Sequence, residues 1–143
     1  MRKKFIAMMI TVVLLTNLFV VTSAAETEVF KGNQIIISPM YTYISNAEAL
    51  LSINSSGKAK PEVYVTGNSA VTSIKASIFL QQYRNGSWTT IKIWNESSNS
   101  NILNFVDTYD VSNGYEYRVR ATVTAYSGQK SESTTLTSNS VRH

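Results

Sequence analysis

A chain of 143 residues is the length of one domain, and with no cysteine and a single histidine it lacks the residue types for a disulfide scaffold, thiol chemistry or a zinc centre. The formal charge of +4 belongs largely to the first residues: without positions 1–25, ten basic side chains stand against nine acidic ones, a net charge of +1. Nucleic-acid binding needs a clustered basic face, and the pairs Lys58/Lys60 and Arg118/Arg120 are too thin for one.

Met1-Arg2-Lys3-Lys4, the apolar run from Phe5 to Val21 and the small residues Thr22-Ser23-Ala24-Ala25 have the form of a secretory signal peptide, a short helix cleaved after Ala25. Thr11, Thr16 and Asn17 interrupt the apolar run, and no basic stop-transfer cluster follows, which argues against a retained membrane anchor. The expected location is therefore extracellular, with no membrane association after cleavage. Residues 26–46 read as an N-terminal extension in which Ile35-Ile36-Ile37 is a short strand broken at Ser38-Pro39. Residues 47–143 read as the folded domain.

From Ala49 onward the pattern is β throughout. β-Branched and aromatic residues are frequent, and no sustained period of 3.6 is present. Ala49, Leu51 and Ile53 alternate with polar residues, Asn54-Ser55-Ser56-Gly57 is a turn, and Val63 and Val65 carry the next strand. Pro61 has no N–H to donate, which places its end of that strand at an edge or a bulge. Asn85-Gly86 is the strongest short-range hairpin signal, because both central residues of a type I′ turn need positive φ. A two-residue loop there sets Arg84 opposite Ser87, Tyr83 opposite Trp88, Leu80 opposite Ile91 and Ile78 opposite Ile93. Ile74, Ala76, Ile78, Leu80, Ile91 and Ile93 then form the core side, while Phe79, Gln81, Tyr83, Trp88, Lys92 and Trp94 face solvent. Leu103 and Phe105 mark a short strand. Tyr115, Tyr117, Val119, Ala121, Val123 and Ala125 point inward on the next, with Arg118, Arg120 and Tyr126 outward. A last strand runs from Lys130 to Ser138 with Leu136 inward. About seven strands with frequent turns predict an all-β immunoglobulin-like sandwich.

Two resemblances refine that expectation. Gly114-Tyr115-Glu116-Tyr117-Arg118-Val119-Arg120-Ala121, followed by Gly128 and Ser131-Glu132, resembles the last two strands of fibronectin type III domains. Tyr115 matches the family's tyrosine-corner position, although the Leu-x-Pro step that often precedes it is absent. The resemblance implies that strands C′, C, F and G share one sheet. More broadly, Tyr41-Thr42-Tyr43-Ile44, Ser56-Gly57-Lys58-Ala59, Asn85-Gly86-Ser87-Trp88 and Thr124-Ala125-Tyr126-Ser127-Gly128 resemble a family of small exported proteins of clostridia-like Gram-positive bacteria, a domain of unknown function. That likeness implies an exported β-sandwich and no activity.

Catalytic chemistry finds little to work with. His143 lies in a tail expected to fray, where it cannot be held against a nucleophile. Asp107 and Asp110 lack the further oxygen ligands of a calcium loop and read as turn carboxylates. No G-x-G-x-x-G or P-loop pattern occurs. The reading is a non-enzyme without cofactor or metal. The one positive signal is the outward face holding Phe79, Gln81, Tyr83, Trp88, Lys92, Trp94, Arg118, Arg120 and Tyr126. Tyr, Trp and Arg dominate protein-binding hot spots, and aromatic rings also stack on sugars. The candidate partners are an extracellular protein, a second copy of the chain, or cell-wall or other polysaccharide. Against these stands the plain role of Tyr83 and Trp88 as a cross-strand pair stabilising a hairpin, with Trp94 covered by the segment around Tyr41 and Tyr43.

Overall fold

The structure, a computed structural model, describes residues 40–143. The expected signal peptide and the expected strand at Ile35-Ile36-Ile37 both fall outside the described residues. Within them the chain forms β1 (Ile44–Ile53), β2 (Lys58–Gly67), β3 (Ser73–Arg84), β4 (Ser87–Ser98), β5 (Ile102–Val106), β6 (Tyr109–Asp110), β7 (Glu116–Ser127), β8 (Lys130–Thr137) and β9 (Val141–Arg142). One sheet has the order β1-β2-β5, with β6 also on β2; the other has β4-β3-β7-β8, with β9 also on β7. All pairings are antiparallel. The second sheet is the C′-C-F-G sheet implied by the fibronectin likeness, and the architecture is an all-β sandwich of that class.

Local chemistry explains the turns. Asn54 Oδ1 accepts the backbone N–H groups of Ser56 (3.1 Å) and Lys58 (2.9 Å), which closes the β1–β2 turn as an Asx turn. Asn85 and Gly86 take φ of 51° and 79°, the pair of positive values a type I′ hairpin requires. β1 begins at Ile44, inside the stretch 26–46 that the sequence reads as an extension, and Tyr41 and Tyr43 pack against the core. This entry is tied down by Glu132 of β8, whose carboxylate accepts the N–H groups of Thr42, Tyr43 and Ile44 at 2.7–2.9 Å.

Alternation along β2, β3, β5 and β7 fills the space between the sheets. Val63, Ile74, Ile78, Leu80, Val119, Ala121, Val123 and Ala125 are fully buried, and Val65, Leu103 and Phe105 nearly so. Burying side chains of this size is worth about 1.5–3 kcal/mol each for the larger aliphatics, the main favourable term in the fold.

Four expectations need correction. Pro61 is fully buried on the central strand of its sheet and pairs with Leu51. It is tolerated because the strand opposite is broken there: β5 ends opposite Glu62, β6 resumes opposite Ala59, and only Asp107 N–H reaches the Pro61 carbonyl, at 3.3 Å. The tyrosine-corner role falls to Tyr117. Its ring is fully buried, and its hydroxyl donates to the Ser112 carbonyl (2.6 Å) while accepting from Gln82 Nε2 (2.9 Å). Tyr115 precedes β7 and is half-buried, with the Arg84 guanidinium 5.5 Å from its ring.

His143, expected in a free tail, is instead hydrogen-bonded to the neighbouring backbone. Gly114 N–H donates to its carbonyl (2.6 Å), its own N–H donates to the Tyr115 carbonyl (3.1 Å), and its imidazole lies against Gly57. The fourth correction is the register of the β3–β4 hairpin. It holds as expected from Arg84/Ser87 and Tyr83/Trp88 down to Gln81/Thr90, then shifts by one residue. Leu80 pairs with Lys92 rather than Ile91, and Ile78 with Trp94 rather than Ile93. Ile91 is the extra residue of a β-bulge.

Candidate functional site

The bulge decides which side chains the outer face presents. Above it Trp88 stays outward, as the hairpin turn dictates. Below it the two faces of β4 exchange: Trp94 packs toward the core, and Ile93 is turned out to 51% exposure. The physical reason is size. The sequence Ile91-Lys92-Ile93-Trp94 offers an apolar residue to either face, and the larger ring gains more from burial. Trp94 meets Phe105 at 5.6 Å and Tyr109 at 6.4 Å between ring centroids, and its Nε1–H donates to Asp107 at 2.6 Å. It is covered by the opposite sheet and not by Tyr41 and Tyr43. Lys92 follows it to the inner side of the edge, with its ammonium 5.6 Å from the Trp94 ring and 6.0 Å from that of Tyr109. Lys92 and Trp94 therefore leave the proposed surface, and Ile93 joins it.

The remaining residues sort by row. β3 pairs Tyr83 with Glu116, Gln81 with Arg118 and Phe79 with Arg120, so these side chains stand side by side on the outer face. Tyr83 and Trp88 are in contact at 5.2 Å with their rings tilted by 56°. The Arg118 guanidinium lies 4.2 Å from the centre of the Trp88 ring, and its Nε–H donates to Gln81 Oε1 at 2.9 Å. Gln81 is consequently buried beneath the cluster even though it points outward. A guanidinium held over an indole contributes about 0.5–1 kcal/mol where exposed and more where desolvated, so Arg118 is fixed before any partner arrives. One row along, half-buried Phe79 sits between exposed Ile93 and exposed Arg120.

Tyr126 is not part of this group. It lies eight residues along β7 from Arg118, roughly 26 Å at strand rise, with the Lys75 ammonium 5.6 Å from its ring. At this end an open depression of about 460 Å³ is lined by residues that include Lys75, Ser77, Asn95, Glu96, Thr124 and Tyr126. The single face read from the sequence thus divides into an aromatic and basic end near the hairpin and a hydroxyl-rich end around Tyr126. Ile93 is the residue that sequence reasoning missed; the signal that identifies it is the competing tryptophan next door.

The carboxylates singled out earlier have structural partners. Asp107 accepts from Trp94 and from Thr108 N–H (2.7 Å), and Asp110 pairs with Lys58 at 2.9 Å. Among the described residues no group of three or more His, Cys, Asp or Glu is placed to hold a metal ion.

No family model matches the chain and no curated protein matches it, so neither comparison confirms the likeness to clostridia-like exported proteins. Among solved structures the chain is similar to the CARDB domain of the PF1109 protein from Pyrococcus furiosus, a crystal structure in complex with di-metal ions. The identity is 17%, over 70% of this chain and 97% of that one, with a TM-score of 0.36. That likeness carries no argument about a ligand; the sandwich class rests on the two sheets and their strand order.

Proposed function

We propose that this chain is an exported, non-catalytic interaction module that holds a partner protein on the hairpin end of its β4-β3-β7-β8 sheet. The observation that supports this is a pair of outward rows, Tyr83 at 42% exposure beside Trp88 and Ile93 at 51% beside Phe79, with the Gln81–Arg118 row between them and Arg120 at the border. Apolar side chains beside arginine, here Arg118 held over Trp88, are the composition of binding hot spots. Glu116 is the one carboxylate paired into these rows, so the complementary partner surface carries carboxylates around an apolar centre. Export rests on the sequence pattern of residues 1–25. Stacking on a sugar is the weaker use of this face, because Trp94 is turned inward and Arg118 occupies one side of Trp88.

The test is photo-crosslinking from the hairpin end of the sheet on the producing cells, with Tyr83→Ser/Ile93→Asp as comparison. A protein adduct formed by the wild type and lost in the variant is the expected result. An adduct of equal yield in both, or retention of the wild type on a polysaccharide gel with a shift in tryptophan fluorescence, overturns the reading.

A further inference from the structure

β4 is the outermost strand of its sheet, and among the described residues it pairs only with β3. It is 12 residues long and mostly exposed. A long edge of unpaired N–H and C=O groups is a template for another strand, and proteins ordinarily block one with a bulge, a proline or a charge, lysine above all. Here the bulge lies at Ile91, above a regular stretch running from Lys92 to Ser98 with no proline. That stretch carries two charges of opposite sign, Lys92, whose ammonium lies near the Trp94 and Tyr109 rings, and Glu96 four residues further on.

That spacing has a geometric consequence. Two copies of a strand paired antiparallel about a two-fold axis place residue i opposite the residue equally far beyond the axis. With the axis at Trp94, Lys92 of one copy faces Glu96 of the other, and Glu96 faces Lys92. Period-two alternation puts positions 92, 94 and 96 on one side of the strand, so both ion pairs and the two Trp94 positions share a face. Neither Lys92 nor Glu96 has an ion-pair partner among the described residues.

We propose that the occupant of the β4 edge is a second copy of this chain, joined antiparallel through Lys92–Glu96 with the two-fold axis at Trp94. The join makes one continuous sheet across both copies. It also sets the two outer strips containing Phe79 and Ile93 side by side, so that a dimer presents two adjacent copies of the face proposed above. The edge and that face are distinct surfaces, and either can fail without the other.

Sedimentation velocity on the secreted protein from about 1 µM to about 1 mM reads the association directly. A monomer–dimer equilibrium is expected. Lys92→Glu and Glu96→Lys each place like charges opposite one another twice, and each is expected to weaken the dimer by about tenfold or more. The double exchange Lys92→Glu/Glu96→Lys rebuilds both pairs and is expected to restore it. Trp88→Ala, on the outer face, is expected to leave the dimer unchanged. All these side chains are exposed or half-buried, and circular dichroism verifies that each variant folds. A monomer at every concentration overturns the proposal, as does a dimer indifferent to both single reversals or one that the double exchange fails to restore.

Discussion

Removing one oxygen atom from the core tests how the β7 corner is held. Tyr117→Phe keeps the fully buried ring and deletes a hydroxyl that donates to the Ser112 carbonyl and accepts from Gln82. Each bond is worth about 1 kcal/mol net, and a buried donor left without a partner costs about 1–3 kcal/mol. Ser112 is exposed, so its carbonyl regains water; Gln82 is 9% exposed and its amide does not. The expected loss is about 2–3 kcal/mol, a large part of the 5–15 kcal/mol typical of a domain. In a urea titration followed by fluorescence this moves the midpoint down by about 1–2 M with the slope unchanged, and the thermal midpoint falls by about 10–20 °C. Adding Gln82→Leu to the Tyr117→Phe variant supplies the control. With both polar partners gone, no buried group is orphaned, and the double variant is expected to be more stable than the sum of the two single losses allows. A loss below about 0.5 kcal/mol for Tyr117→Phe, or strict additivity in the cycle, refutes the role assigned to this hydroxyl.

Three further outcomes follow from other parts of the molecule. Ile78→Ala is expected to cost about 2–5 kcal/mol, while Ile93→Ala stays within about 0.5 kcal/mol; equal costs in chemical denaturation would show that the β4 bulge is absent. Gly57→Ala forces a Cβ to 2.9 Å from both the Val111 carbonyl oxygen and His143 Nε2 at a φ of +81°, with an expected loss of about 1–3 kcal/mol in the same assay. Burial pushes the Glu132 carboxyl up, but the three N–H bonds from Thr42, Ile44 and Tyr43 outweigh it and hold the group below its ordinary value. A lowered value in the folded state means the contribution is complete above the unfolded value of about 4.3 and is lost as the pH falls through the folded one. Glu132→Gln should therefore lower the thermal midpoint clearly near about pH 6, with the gap narrowing as the pH is taken below the unfolded value of about 4.3; a gap that does not narrow on acidification refutes this assignment.

Much of the sandwich can be read from the sequence because its signals are local or strictly periodic. Asn85-Gly86 specifies positive φ at two adjacent positions, which few other dipeptides accept. The inward sets of β3 and β7 repeat every second residue, and the pleat leaves no other way to bury them. Where two answers satisfied the local rule, the sequence had no means to choose. Ile93 and Trp94 are both apolar and adjacent, so alternation favoured the run of isoleucines, and only the presence of Phe105, Tyr109 and Asp107 on the facing sheet made burial of the indole the better solution. Tyr115 and Tyr117 are likewise both candidates for the corner, and the position of Ser112 selected the second.

Periodicity determined the strands, the hairpin and the aliphatic core of this protein without reference to anything distant in the chain. The tertiary structure decided the bulge, the inward turn of Trp94, the partners of Arg118 and the anchoring of residues 42–44 by Glu132. These depend on which side chains stand across the interior or on a neighbouring strand, up to 90 residues away. Volume and hydrogen bonding at such meetings are properties of pairs, and no single segment carries them.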